Sequence, residues 1–126
     1  MLVAIPAALA ALVHVYIFVI ESLRFTDPAT MRTFGVRSHE DAEIMRPWAF
    51  NQGFYNLFLA IVTVVGLVLH ATDHQEAGTA LVASATASML AAAVVLIAGD
   101  RSKARAASVQ GLFPMLTLLA LVTVGW

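Results

Sequence analysis

Two side chains near the start of the chain can exchange a proton: His14 and Glu21, seven residues apart in a run that is otherwise almost wholly apolar. That spacing is close to two helical turns, so on a helix the two share a face, while Tyr16 points to a different side. Histidine gains or loses its proton near neutral pH, and an ionisable group inside a long apolar segment marks a functional site by default. A second concentration of polar groups is Asn51-Gln52-Gly53-Phe54-Tyr55-Asn56, in which Asn51 and Tyr55 are four apart, as are Gln52 and Asn56. Side chains at that spacing are neighbours on a helix, and Gly53 permits another helix to come close. Gln110-Gly111, followed by Pro114, is a third.

These residues admit three chemistries. A polar cavity lined by Gln52, Tyr55, Asn56 and Gln110, with His14 as its titratable element and Glu21 and Asn51 beside it, would bind, and in a stronger form transport, a small molecule or ion. With His14 as general acid or base and Tyr55 as proton or hydrogen-bond donor, the same groups would serve an enzyme acting on a lipid-soluble substrate. As a closed hydrogen-bond network they would only fix helix register, the simpler role for Asn51, Asn56 and Gln110 taken singly, as in an accessory subunit of a larger complex. His14 has Glu21 or an amide as its partner, while Glu21 taken alone is a boundary residue paired with Arg24, one turn on; that ion pair would be worth little if wetted.

Cofactor chemistry finds no ligand set. The chain has no cysteine, which removes disulfides, thiolate metal sites and iron–sulfur clusters. His14 and His70 fall at different depths, unlike a bis-histidine haem pair, and the apolar runs carry essentially one carboxylate, Glu21, where a di-iron site needs several. No metal or cofactor is expected. His39, His70 and His74 fall in loops or at the end of an apolar run and receive no role.

The elements that must position these groups follow from composition. Of 126 residues, 60% are hydrophobic and 12% charged, with a mean hydropathy of +0.85, so water is not the main solvent. The net charge of −1 gives no field for nucleic acid. Four apolar runs of about bilayer length, roughly residues 2–21, 48–70, 79–99 and 107–126, read as transmembrane helices. The expected fold is a single all-α domain, residues 1–126, a membrane-embedded four-helix bundle with a short helix in its first loop. The first run lacks a basic leader and reads as an uncleaved span rather than a signal peptide.

Between the first two spans, Asp27-Pro28 reads as N-cap and first residue of that short helix, which Gly35 closes. Ser38 with Asp41 resembles a capping box, so the next helix starts near Ser38, and Pro47 should kink it or restart it. All seven Lys and Arg lie in the first and third loops. By the positive-inside rule, loops 22–47 and 100–106 face the cytoplasm and both termini lie outside the cell membrane, with Trp48 and Trp126 anchoring opposite interfaces. His14, Glu21, Asn51, Gln52, Tyr55, Asn56 and Gln110 then share the cytoplasmic half. Beyond them the second span offers only Thr63 and the fourth only Thr117 and Thr123, which speaks against a conducting path through one copy. The third span sets Ala80, Ser84, Ser88 and Ala92 four apart, a small-residue stripe for close packing inside the bundle, or against a second copy or a membrane partner.

The segments His14-Val15-Tyr16-Ile17 with Glu21, Phe34-Gly35, Asn51-Gln52-Gly53-Phe54-Tyr55-Asn56 and Val109-Gln110-Gly111-Leu112 before Pro114 together resemble the DUF1304 family of small membrane proteins. The resemblance covers nearly the whole chain, and the Asn-Gln-Gly segment is its most specific part. It implies a four-span membrane protein of about this length and supplies no established activity, so no residue role comes with it.

Overall fold

An apolar run of bilayer length can satisfy its backbone in lipid only as a helix or within a closed barrel. In the computed structural model, which describes residues 1–126, every such run is helical. Helix α1 is Ala4–Phe18 and continues through a π-helical turn at Val19–Leu23. Helix α2 is Pro28–Phe34, α3 is His39–His70 and α4 is Gln75–Gly99. A 3-10 turn at Arg101–Lys103 leads into α5, Ala104–Thr123. There is no strand, so the all-α class stands, with four long apolar helices and the short helix in the first loop. Only 22% to 28% of the most apolar stretch of each long segment is buried. So much outward apolar surface would be untenable in water, and the chain is a multi-pass membrane protein.

Local chemistry sets the helix ends. Pro28 is the first residue of α2, and Gly35 closes it in the left-handed region at φ 71°. Asp27 occupies the N-cap position but spends its carboxylate on Arg24, 2.6 Å away, rather than on the helix. Phe25 and Phe34, with ring centroids 5.6 Å apart, bracket α2. The hydroxyl of Ser38 accepts from the N–H of Asp41 at 3.0 Å and starts α3. Pro47 neither stops nor restarts α3, which runs unbroken for 32 residues. The carbonyl that Pro47 cannot bond belongs to Glu43, in an exposed stretch where water can take it. Asp100 accepts from the N–H of Ser102 at 2.9 Å, and hydrogen bonds from Ser102, side chain first and then backbone, hold its carboxyl below the ordinary value. Helix α5 ends at Thr123, short of the expected Trp126.

The chain forms two compact units, His14–Phe58 and Met1–Val13 with Leu59–Trp126; α1 and α3 run through both. In the second unit small residues allow close helix contacts. A Cβ on Gly66 would lie 2.9 Å from the carbonyl of Gly78 and 3.0 Å from the N of Val82, and one on Gly111 would lie 2.9 Å from the Ala93 Cβ. Helix α4 buries Gly78, Val82, Ala85, Thr86, Met89 and Ala93. Ala80, Ser84, Ser88 and Ala92 are exposed instead, so the expectation that this stripe packs inside the bundle is corrected. Both faces of α4 are rich in small residues, so either one permits close approach of a neighbouring helix.

Candidate functional site

The chemistry-bearing residues of the first unit meet where the π-turn passes the early part of α3. Side chains of two successive residues, Glu21 and Ser22, are turned toward α3. A π-turn advances less per residue than an α-turn and so lets neighbours in sequence face the same partner; such turns recur at functional sites. The Nδ2 of Asn56 donates to Oε2 of Glu21 at 2.9 Å and to the backbone carbonyl of Gln52 at 3.2 Å. The hydroxyl of Ser22 donates to the carbonyl of Phe50 at 2.8 Å. Two bonds between elements therefore converge within two turns of α3.

Gly53 makes this approach possible. A Cβ there would collide with the hydroxyl of Ser22 and lie 3.0 Å from its backbone N and 3.1 Å from the Cβ of Glu21. Phe18 and Phe54 meet edge to face with centroids 5.0 Å apart, and Phe50 and Phe58 flank Phe54 at 4.9 and 6.1 Å. The polar contact is thus set against a run of aromatic rings.

The sequence-expected residues separate into four groups. Glu21, Asn56 and the backbone of Gln52 come together. His14 is fully buried at 0% exposure. The side chains of Asn51, Gln52 and Tyr55 are exposed, Tyr55 at 61%, on the outer face of α3. Gln110 is half-buried in α5 and belongs to the other unit. Arg24, the ion-pair partner expected for Glu21, pairs with Asp27 instead. An open concavity lined by Thr72, Asp73, His74, Gln75, Glu76 and Ala77 contains none of the candidate residues.

Ser22 was not among the expected site residues. Its signal was its hydroxyl directly beside Glu21, which uniform α-helical spacing turns away from the face of Glu21. A second contact also went unanticipated: the ring of His70 stacks on Trp126, with centroids 3.7 Å apart, and its Nδ1 lies 3.1 Å from the hydroxyl of Thr79. In the same unit, buried Thr63, Thr86 and Thr117 return their hydroxyls to carbonyls of their own helices at 2.9, 2.7 and 2.9 Å, so they reach no neighbouring helix.

No group of three or more His, Cys, Asp or Glu side chains is placed to hold a metal ion. What the arrangement offers chemically is a carboxyl inside the last turn of an apolar span, oriented by one amide. No curated protein and no solved structure matches the chain. A family model described as a protein of unknown function, DUF1304, matches residues 8–122, and with nearly its whole length covered the chain belongs to that family.

Proposed function

We propose that the protein binds a small molecule or ion at a polar site centred on Glu21 and Asn56, on the cytoplasmic side of the cell membrane. The observation that carries this reading is the 2.9 Å bond between Asn56, 5% exposed, and the carboxyl of half-buried Glu21, with no cation paired to it. An amide pair alone would serve as a staple between helices. A carboxyl is costlier to keep in such surroundings and calls for a proton or a ligand. The π-turn that aims it at α3 supports the same reading.

His14 adds a titratable ring to the same unit, and Asn51, Gln52 and Tyr55 add hydrogen-bonding groups on the adjoining face. The cytoplasmic assignment rests on the seven Lys and Arg, all in loops 22–47 and 100–106. Transport has less support, because Thr63 and Thr117 satisfy themselves within their own helices. Acid–base catalysis by His14 and Tyr55 also has less, since one is fully buried and the other is 61% exposed.

The test is extraction of compounds retained by the purified protein, identified by mass spectrometry. Wild type should retain a compound that Glu21→Gln and Asn56→Leu lose by tenfold or more. Retention of nothing by wild type, with all three proteins folded, would remove the reading.

A second reading, association with another copy or a membrane partner through Ala80, Ser84, Ser88 and Ala92, is favoured by the exposure of all four. Small residues on an outward helix face suit helix association in lipid.

A further inference from the structure

We infer that the ligand of the Glu21–Asn56 site carries an ammonium group and reaches it from the lipid, as the headgroup of an aminophospholipid does; this rests on the binding reading above and names the ligand's class. Three observations support it, and they are independent of one another.

The first is the balance of donors and acceptors. Both N–H groups of Asn56 are committed to acceptors, Oε2 of Glu21 and the Gln52 carbonyl, which fixes the orientation of the amide and leaves its Oδ1 as an acceptor. The Ser22 hydroxyl has given its hydrogen to the Phe50 carbonyl. What remains around the carboxyl accepts, so a bound group must donate. The cations within reach along the chain are occupied: Arg24 lies 2.6 Å from Asp27, and Arg46 lies 3.2 Å from Glu43. An ammonium group brings three donors and the missing positive charge together.

The second is the aromatic run. Phe18, Phe50, Phe54 and Phe58 form a chain of ring contacts on the same two elements, with successive centroids between 4.9 and 6.1 Å apart. Ring faces attract ammonium groups and also accept the hydrocarbon beside them.

The third is the way in. A span of roughly 20 residues ending at His70 begins near Asn51, so the exposed side chains of Asn51, Gln52 and Tyr55 lie at the level where protein meets lipid headgroups. Trp48, one turn earlier and 80% exposed, marks the interface. Asn51 and Gln52 carry amide N–H groups and Tyr55 a phenolic O–H, donors suited to the phosphate and ester oxygens of the amphiphile whose ammonium meets Glu21. A soluble primary amine would satisfy Glu21 but leave these donors without a role.

The experiment is native mass spectrometry of the protein released from nanodiscs containing equal parts phosphatidylethanolamine, phosphatidylglycerol and phosphatidylcholine. Wild type should retain phosphatidylethanolamine at least tenfold over phosphatidylglycerol. That preference should disappear in Glu21→Gln and fall severalfold in the double variant Asn51→Ala/Gln52→Ala, whose exposed positions leave folding intact and carry the test should Glu21→Gln not fold. Free ethanolamine in excess separates the sources: displacement of the lipid by ethanolamine at millimolar concentration would assign the site to a soluble amine and overturn the lipid route. Equal retention of all three lipids, or a preference unchanged in the variants, overturns the inference. Retention of a neutral or anionic compound that still depends on Glu21 and Asn56 removes the ammonium class and leaves the binding site standing. Absence of any Glu21-dependent adduct removes both.

Discussion

Asn56 donates to the carboxyl of Glu21 across 35 positions of sequence, at 2.9 Å, while Arg24, only three residues from Glu21, pairs with Asp27 instead. The local ion pair and the longer-range amide bond are therefore both formed, and Glu21 takes the neutral partner. Side-chain hydrogen bonds between membrane helices average about 0.6 kcal/mol and reach about 1.7. A double-mutant cycle on Glu21→Ala and Asn56→Ala, read from unfolding in mixed detergent micelles, should give a coupling within that range. Strict additivity of the two losses would mean that the bond contributes nothing.

Close approach at Gly53 is the second requirement of the site. Any side chain there meets the backbone N of Ser22 at 3.0 Å, whereas a Cβ on Gly99 meets nothing within 4 Å. Gly53→Ala should cost about 1–3 kcal/mol, the usual range for overpacking. Gly99→Ala should be neutral or mildly stabilising, so equal effects of the two would contradict the packing.

How far this was legible beforehand differs from element to element. The four apolar runs, the Asp27-Pro28 start and Gly35 close of α2, and the Ser38 start of α3 follow from span length and from capping chemistry that acts within a few residues. The π-turn at Val19–Leu23 had no comparable signal. Spacing counted from His14 assumes a uniform α-helix, which the π-turn interrupts before Glu21, and it gives no reason to look at Ser22. The amide cluster was found as a segment, but its faces were not resolved: Asn56 turns to Glu21 while Asn51 and Tyr55 turn outward. Helix α4 is rich in small residues all round, and periodicity cannot choose a buried face when every face is apolar.

That last point has a direct check. Ser84 and Ser88 are exposed, and Ala85 is 2% exposed. The double variant Ser84→Leu/Ser88→Leu should leave the thermal stability of the monomer within about 0.5 kcal/mol of wild type, the usual range for surface changes. Ala85→Leu should cost about 1–3 kcal/mol by overpacking. If the serine variant keeps its fold but changes oligomeric state in detergent, the stripe is a contact between copies; the reverse order of stabilities would put the wrong face of α4 in the core.

The orientation across the membrane is tested without a background, since the chain has no cysteine. A cysteine at Asp73, in the α3–α4 turn, should react with an impermeant maleimide added to intact cells, and one at Ser102, before α5, should not. Labelling of the second alone would invert the topology and move the Glu21 site to the outer side.

The most direct test of the account is the distance between the carboxyl carbon of Glu21 and the side-chain nitrogen of Asn56 in lipid bilayers, by rotational-echo solid-state NMR on selectively ¹³C- and ¹⁵N-labelled protein. A hydrogen bond of this kind places the two nuclei about 3.5–4 Å apart. Dephasing at that distance is the expected result. Contact of the Glu21 carboxyl with the Arg24 guanidinium, and none with Asn56, would contradict the account.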